Sequence, residues 1–258
     1  MITLRSQREI EKMRVAGQLV RQAHQRVAEL VRPGITTAEI DQAVDDLFAE
    51  AGAVALFKGV PGKTPFPAAT CISVNDEIVH GIPGNRVLKE GDIVSVDTGA
   101  KIGGWCGDSA WTYPVGQISN QAARLLEVTE AALNVAIELL PQKKRWSQVA
   151  AEMQDVVESA GCSVIRTLVG HGIGKSMHEE PQVPNYDSSE FRKKGDFDLR
   201  PGLVLAVEPM VAAGREDLYL HGDGWTLSTK DKSLTAHFEH TLALTKSGVR
   251  ILTGEDAG

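Results

Sequence analysis

Apolar positions in the first fifty residues recur at helical spacing in two consecutive segments. The first segment, residues 6–31, predicts a helix, and Ser6 with Glu9 has the spacing of a capping box at its start. A second helix is predicted after Thr36, ending near Gly52. Three strand-like runs follow: TCISV, GDIVSVDTGA and residues 105–115. The predicted order is therefore two helices and then strands.

The same order then repeats along the chain. One helix is predicted over about 120–140 and another from Ser147 to Gly161. Three strand-like runs come next: SVIRTLVG, GLVLAVEPMV and TAHFEHTLALT. The polar segment 185–202 is predicted to be a surface loop.

Polar residues of the two halves also fall at matched positions. The matched pairs are His80 with His171, Asp97 with Glu208, and Asp108 with Glu239. Asp97 and Glu208 each follow a glycine by six residues, at the end of an apolar run. These matches predict one catalytic domain over 1–258, made of α+β pseudo-repeats of about 1–118 and 119–258 around a shared centre.

Composition narrows the class of protein. Of 258 residues, 42% are hydrophobic and 24% are charged, which is typical of a globular protein. The net charge of −7 argues against general nucleic-acid binding. No apolar run reaches membrane-spanning length, and the charged start is unlike a signal peptide. The odd count of three cysteines favours a reducing, cytoplasmic location.

The segment GHGIGKS superficially resembles a phosphate-binding loop. Such a loop needs a glycine five residues before the glycine of Gly-Lys-Ser, and that position is Val169. The loop must also lead into a helix, whereas Pro181 and Pro184 follow here. The nucleotide-binding interpretation is therefore rejected, and the two histidines of this segment, His171 and His178, become the candidates for function.

Four carboxylates converging on one centre would repel one another and take up protons. The sequence has no cluster of Lys or Arg that would neutralise the charges of these carboxylates, which are Asp97, Asp108, Glu208 and Glu239. Two divalent ions would balance four negative charges, with His171 as a neutral ligand. Paired metals generate a nucleophile from water at neutral pH, which predicts a dinuclear metallohydrolase.

Four histidines remain, and their positions in the sequence suggest different environments. We expect His24 to be a hydrogen-bonded core residue and His221 to lie in a turn. The alternation of a strand places His237 on the same side as Glu239 and His240 on the opposite side. His237 is therefore a candidate for supporting the metal ligands.

The order of the candidate ligands, together with CISVNDEIVHGIP, GHGIGKSMHEEP, VEPM and FEHT, resembles the methionine aminopeptidases of the short bacterial type I form. The resemblance covers almost the whole chain. It implies the pita-bread fold, with two pseudo-symmetric α+β halves around a dinuclear metal centre. It also implies a metal-dependent aminopeptidase that removes the N-terminal methionine from nascent proteins when the second residue is small, by attack of a metal-bridging hydroxide on the scissile carbonyl.

The resemblance also assigns roles to residues. Two divalent ions (Co, Mn, Fe or Zn) would be held by five residues: Asp97, Asp108, His171, Glu208 and Glu239. Asp97 would be bidentate on one ion, Asp108 and Glu239 would bridge both, and the other two ligands would complete the second. In catalysis, Glu208 would shuttle a proton, His178 would stabilise the developing oxyanion, and His80 would contact the amide nitrogen of the bond being cut.

The pocket for the substrate methionine is expected to be lined by Cys71, Phe66, Trp225 and Met177. Met177 stands where many bacterial members have an aromatic residue, and Lys63 stands where a tyrosine is frequent. A thioether remains a good neighbour for a methionine side chain, so selectivity is expected to be kept.

The expected partners are the N-termini of nascent polypeptides, which the enzyme would bind at the ribosome. It is expected to be a monomer that binds no specific nucleic acid and no membrane. Two alternatives stay open. Proline-specific peptidases share the fold and the ligand order, but they usually carry an additional N-terminal domain, whereas this chain begins with the catalytic fold. A non-enzymatic binding protein on this fold would generally have lost metal ligands, and none is missing here.

Overall fold

The computed structural model describes residues 1–255 of the 258. The helices are α1 (Gln7–Leu30), α2 (Thr37–Glu50), α3 (Asn120–Leu139), α4 (Trp146–Ser159) and α5 (Ser189–Lys194). The strands of the first half are β1 (Val54–Ala55), β2 (Thr70–Val74), β3 (Glu77–Val79), β4 (Ile93–Ile102) and β5 (Trp105–Pro114). The later strands are β6 (Ser163–Val164), β7 (Gly170–Gly172), β8 (Glu179–Val183), β9 (Val204–Val207), β10 (Met210–Ala212), β11 (Leu218–Leu220), β12 (Leu227–Thr229), β13 (Thr235–His237), β14 (His240–Thr245) and β15 (Gly248–Ile251).

Capping boxes set the starts of the first two helices, and the first of them was predicted at Ser6. Ser6 accepts a hydrogen bond from the backbone N–H of Glu9, and the Glu9 carboxylate accepts one from the backbone N–H of Ser6. Thr36 and Glu39 make the same pair of bonds at α2. These bonds satisfy backbone N–H groups that the first turn of a helix leaves without partners. The four long helices lie within one or two residues of the predicted bounds.

Each pair of helices packs on its own sheet. The first sheet has the order β1-β4-β2, with β5 paired to β4, and its core contains residues of α1 and α2. The second has the order β15-β14-β9-β7-β8, and the core beside it contains residues of α3 and α4. There are two further small sheets, β13-β10-β6 and β11-β12-β3, and the second of them joins the halves, because β3 belongs to the first half. The result is a mixed α+β architecture.

Two of the predicted strands are interrupted. The run 202–211 forms β9 and β10, separated at Glu208-Pro209, and the run 235–245 forms β13 and β14, separated at Phe238-Glu239. The breaks lie side by side, because Val207 pairs with His240 on one side and Met210 pairs with His237 on the other. Proline has no N–H to donate to a ladder, which favours the break at Pro209.

Two further predictions need correction. The run SVIRTLVG is strand only at its ends, in β6 and at Gly170 in β7. The segment 185–202 was predicted to be an irregular loop, but it contains α5, which is capped by Ser188. Its Asp196 accepts hydrogen bonds from the backbone N–H and the hydroxyl of Ser147, in the first turn of α4. In the described part of the chain, no helix is long and apolar enough to cross a membrane.

Helix α1 crosses the β4–β5 hairpin and the last part of the chain at a pair of glycines. A Cβ added at Gly17 would lie 2.3 Å from the backbone oxygen of Leu252, and one added at Gly107 would lie 2.7 Å from the backbone nitrogen of Gly17. Neither position therefore has room for a side chain. This close approach fixes how α1 sits over β5.

We expect Gly17→Ala to lower the free energy of unfolding by about 1–3 kcal/mol, because overpacking against backbone atoms outweighs the better helix propensity of alanine. Gly84→Ala is the matched control, since a Cβ there meets nothing within 4 Å. The control should stay within about 0.5 kcal/mol of the parent in urea unfolding. Equal stability of Gly17→Ala and the parent would contradict the close approach.

Candidate metal centre and active site

Two carboxylates project from one face of the β4–β5 hairpin. Asp97 pairs with Ala110, and Asp108 pairs with Gly99. Alternate residues of a strand share a face, so Asp97 and Asp108 lie diagonally on the same side. A Cβ at Gly99 would lie 2.9 Å from Oδ1 of Asp108, so the glycine leaves the space that this carboxylate occupies.

The other two carboxylates come from the interrupted ladders. Glu208 follows β9 and Glu239 precedes β14, so both leave the backbone where the strands stop pairing. The backbone around them is still satisfied. The side-chain N–H of Asn185 donates to the carbonyl of Glu208 over 2.9 Å, and the N–H of Glu239 donates to the carbonyl of Ala110 over 2.8 Å. The break therefore exposes side chains to the centre and leaves these backbone groups bonded.

Side-chain hydroxyls join the two halves at this point. Ser109 Oγ donates to the carbonyl of Glu239 over 2.6 Å. Thr241 Oγ1 accepts from the N–H of Asp108 over 3.0 Å and donates to its carbonyl over 2.8 Å. Each of these bonds links a strand of one half to a ligand-bearing segment of the other. The relative position of the two pairs of carboxylates is thereby fixed by direct bonds.

His171, on β7, faces the carboxylates with one ring nitrogen. Its Nδ1 lies 3.0 Å from the carbonyl of Gly172, which requires the proton to sit on Nδ1. Nε2 is then free as an electron-pair donor, 3.7 Å from Oε1 of Glu208 and 4.0 Å from Oδ2 of Asp108. Burial lowers the pKa of His171 to about 4, so the ring is neutral at pH 7. A neutral imidazole held in this way can ligate a metal ion.

The donor set fits divalent metal ions. Ligand atoms of Asp108, His171 and Glu239 all lie within 4.8 Å of one another. Three buried carboxylate oxygens of this donor set have no hydrogen-bond partner among the described residues: Oδ1 of Asp97, Oδ1 of Asp108 and Oε1 of Glu239. Among residues 1–255, those lining the cavity include no Lys or Arg. Buried carboxylates without partners are costly, and a divalent ion supplies the missing charge and the missing contacts.

The pKa shifts of the four carboxylates have the same origin. Burial raises the pKa of Asp97 well above its usual range, and the neighbouring Asp108 and Glu208 raise it further. Burial and the charge of Asp108 raise the pKa of Glu208 and of Glu239 in the same way. Burial also raises the pKa of Asp108 itself, against a backbone hydrogen bond at Ser109. Without cations, the cluster therefore favours protonated carboxyls.

The carboxylates line a cavity of about 420 Å³ that also contains His80 and His178. His80 has φ of 60°, a left-handed conformation that non-glycine residues rarely adopt. The ring of His178 meets that of His171 edge-on, with centroids 4.4 Å apart. The structure thus brings both histidines to the metal-ligand side of one cavity.

The apolar side of the cavity contains the four residues predicted for the methionine pocket: Phe66, Cys71, Met177 and Trp225. The Phe66 and Trp225 rings pack edge-to-face at 5.3 Å, and the indole N–H of Trp225 donates to the carbonyl of Thr64 over 2.8 Å. Lys63 is exposed and is not among the lining residues. The cavity therefore combines an apolar pocket with the carboxylate cluster.

Of the other four histidines, three bond to groups outside the cavity and one lines it. His24 is bonded at both nitrogens, to Tyr113 Oη over 2.8 Å and to the carbonyl of Ser109 over 2.9 Å, as predicted for a core residue. His221 lies in the irregular segment after β11 and bonds to Ser228 over 2.8 Å. His240 points away from the cavity and bonds to Thr253. His237 lines the cavity, is 1% exposed, and places Nε2 3.7 Å from Oε2 of Glu208.

Some residues at the site carry no local sequence signal. Asn185, which supports Glu208, lies in the segment predicted to be a loop, and Phe57, Val60 and Gln182 line the cavity without a recognisable motif. Only the tertiary arrangement brings them to the site.

Residues 11–246 match the model of metallopeptidase family M24. Methionine aminopeptidase 1 of Bacillus subtilis is 46% identical over 253 residues, which span 98% of this chain and 99% of that protein. The crystal structure of a methionine aminopeptidase from Thermotoga maritima superposes with a TM-score of 0.93 at 43% identity, covering 99% of this chain and 100% of that one. The prolidase from Pyrococcus furiosus has a TM-score of 0.75 at 20% identity, covering 98% of this chain and 66% of the prolidase, and this likeness concerns the fold alone.

We expect Asp108→Asn to weaken the binding of Mn²⁺ by more than about 100-fold in calorimetric titration of chelator-treated protein, since even residues that only support a ligand cost 10–100-fold. The metal-free variant should be at least as stable as the metal-free parent, because one of four converging charges is removed. Asp92→Asn is the control. Its carboxylate lies just before β4, where Asn75 and Lys89 donate hydrogen bonds to it. Tight Mn²⁺ binding by Asp108→Asn would contradict the assignment.

Proposed function

The chain belongs to the methionine aminopeptidases of metallopeptidase family M24, and from that premise we propose how its own residues perform the reaction. It is a metallo-exopeptidase with the pita-bread fold, which removes the N-terminal methionine of polypeptides. The observation that carries the proposal is the meeting of five candidate ligands with an apolar pocket in one cavity. The ligands are Asp97, Asp108, His171, Glu208 and Glu239.

We propose that these five residues hold two divalent ions. Four carboxylates supply four negative charges, which two divalent ions neutralise, and His171 adds a neutral nitrogen. Asp108, His171 and Glu239, whose ligand atoms lie within 4.8 Å of one another, would hold the metal together with Asp97 and Glu208. Mixed oxygen and nitrogen ligation suits Mn, Fe, Co or Zn. Metals bound here would supply Lewis-acid chemistry that polarises the scissile carbonyl and lowers the pKa of water.

The protein groups then bind, orient and move protons. Glu208, whose Oε1 lies 3.7 Å from Nε2 of His171 and whose Oε2 lies 3.7 Å from Nε2 of His237, is proposed to take the proton of the attacking water and pass it to the leaving amine. His178 is proposed to donate a hydrogen bond to the carbonyl oxygen as charge develops on it. His80 is proposed to contact the nitrogen of the bond being cut.

The apolar pocket is proposed to hold the methionine side chain of the substrate. Phe66 and Trp225 supply aromatic faces, Cys71 supplies a small polarizable group, and Met177 supplies a thioether. Thioethers pack favourably against aromatic rings and against each other. The pocket is thus suited to an unbranched apolar residue, and the alternative of a proline-specific peptidase is not favoured. A binding protein without catalysis is not favoured either, because all five candidate ligands are present.

We further propose that the enzyme acts as a monomer in the cytoplasm, where N-termini become accessible on nascent chains at the ribosome. In the part of the chain that the structure describes, the large apolar side chains that are exposed lie on several separate elements: Met1, Leu4, Val15, Val54, Val87 and Leu220. Such scattered residues are ordinary on a monomer. Sedimentation at micromolar concentration tests the oligomeric state.

A peptide panel tests the function directly. The protein, loaded in turn with Mn²⁺, Co²⁺, Fe²⁺ or Zn²⁺, is given Met-Ala-Ser and Ala-Pro peptides side by side. Release of methionine with at least one metal, and negligible cleavage before proline, is the expected result. Preferential cleavage of Ala-Pro, or no cleavage of either peptide with any metal, would overturn the proposal.

The proposed roles of the two histidines predict that catalysis and metal binding can be separated. We expect His178→Ala to lower kcat by about 10²–10³-fold, the usual cost of losing one transition-state hydrogen bond, with metal content near that of the parent. His80→Ala should also lower kcat strongly and retain metal. Loss of stoichiometric metal from His178→Ala would show instead that this histidine is a ligand.

The family resemblance predicts a cramped subsite for the second residue of the substrate. Peptides beginning Met-Ala, Met-Gly and Met-Ser should therefore be cleaved, and Met-Ile peptides should not, because a β-branched side chain is stiff at χ1 and cannot swing aside. Protein expressed from this sequence begins Met1-Ile2 and should keep Met1, as intact mass will show. Efficient cleavage of Met-Ile peptides would mean that the subsite is open.

A further inference from the structure

The residues before His178 form a loop. The side chain of Glu179, the residue after His178, bonds back to the backbone of this loop. One carboxylate oxygen of Glu179 accepts from the backbone N–H of Lys175 over 2.9 Å and from that of Ser176 over 3.2 Å. Met177 and His178 lie between the two ends that Glu179 joins. The position of both cavity-lining side chains therefore depends on where the Glu179 carboxylate is held.

The second oxygen of Glu179 is held from far away in the sequence. It accepts a hydrogen bond from the guanidinium group of Arg5, in the segment before α1, and the two side chains form an ion pair. The Arg5 side chain is only 8% exposed and that of Glu179 is 20% exposed, so this is not a freely solvated surface pair. A Cβ at Gly174 would lie 2.1 Å from Nη2 of Arg5, which shows that the loop leaves room for the guanidinium group.

Arg5 is itself fixed by two further contacts. Its N–H donates to the carbonyl of Gly202 over 2.7 Å, and Gly202 leads into β9, the strand that ends before Glu208. Its guanidinium carbon lies 5.3 Å from the ring centroid of Trp105, at the turn of the β4–β5 hairpin. The arginine therefore touches both halves of the molecule as well as the loop.

The loop is also bonded to the same hairpin. Cys106 N–H donates to the carbonyl of Gly174 over 2.8 Å, and Lys101 Nζ donates to the carbonyl of Lys175 over 2.7 Å. These bonds fix the beginning of the loop. Its far end, which carries His178 and Glu179, is the part that Arg5 holds.

We propose that Arg5 is a positioning residue for the reaction, which acts through Glu179 to hold the loop that presents Met177 and His178 to the substrate. The inference rests on the role of His178 proposed above. Misplacement of a catalytic group by about 1 Å can cost about 10²-fold in rate, so loss of this support is expected to be visible in kcat. The planar guanidinium group pairs with a carboxylate in a defined geometry, which a lysine ammonium reproduces only in part.

The test compares Arg5→Gln, Arg5→Lys and Arg250→Gln in the metal-loaded protein with a Met-Ala-Ser peptide. Arg250 of β15 makes a more exposed ion pair with Glu11 of α1 and, within residues 1–255, has no hydrogen bond or ion pair with the loop, so it controls for general loss of a salt bridge. We expect Arg5→Gln to lower kcat by about 10–100-fold with metal content unchanged, and Arg5→Lys to recover part of the loss. Arg250→Gln should stay within about twofold of the parent.

A double-mutant cycle separates positioning from a merely structural role. If Arg5 acts through His178, Arg5→Gln should cost little more than about twofold in a His178→Ala background, because the group it positions is already absent. An equal loss in both backgrounds would overturn the inference. So would a parent-like kcat for Arg5→Gln, or an equal loss in Arg250→Gln.

A second readout does not depend on activity. Amide hydrogen exchange at Lys175 and Ser176, whose N–H groups Glu179 accepts, should quicken at least about tenfold in Arg5→Gln and stay unchanged in Arg250→Gln. Unchanged exchange in Arg5→Gln would overturn the positioning role even if the parent failed to release methionine. Failure of the parent on the peptide would count against the proposed function alone.

Discussion

The arrangement of this molecule depends on the compensation of four carboxylates that share one cavity, of which Asp108 and Glu239 are buried and Asp97 and Glu208 are partly buried. Two come from the β4–β5 hairpin and two from the breaks in the second sheet, and none of the described residues lining the cavity is a lysine or arginine. Like charges in a poorly solvated site repel one another and favour protonation. Divalent cations relieve both the repulsion and the lack of partners at the carboxylate oxygens. Divalent cations would therefore both balance the negative charge of the cavity and supply its proposed chemistry.

The backbone is shaped to deliver those carboxylates. In the first half the hairpin is continuous, and Gly99 opposite Asp108 leaves space for its side chain. In the second half the ladders stop at Glu208 and Glu239, and hydroxyls of Ser109 and Thr241 join the neighbouring backbone across the halves. The centre is thus built on rigid strands on both sides. Such rigidity suits a site whose ligands must be held in place before metal binds.

Much of this could be predicted from the sequence because the signals are local. Helical periodicity, with a capping box at Ser6, predicted the four long helices, and glycine-to-carboxylate spacing pointed to Asp97 and Glu208. Other features depend on partners distant in the chain. The side-by-side position of the breaks at Pro209 and Phe238 follows from the pairing of the ladders, and Asp196, just after α5, bonds to the start of α4. Arg5 and Glu179 are 174 residues apart, and no periodicity relates them.

The compensation of the carboxylates by two metal ions can be observed directly. Crystals of the protein grown with Mn²⁺ and measured on both sides of the manganese absorption edge should show two anomalous peaks some 3.5–4 Å apart, the separation typical of paired catalytic metals. Both peaks should contact Asp108 and Glu239. A cavity with no anomalous peak at saturating Mn²⁺, or with peaks bound away from these carboxylates, would contradict the account.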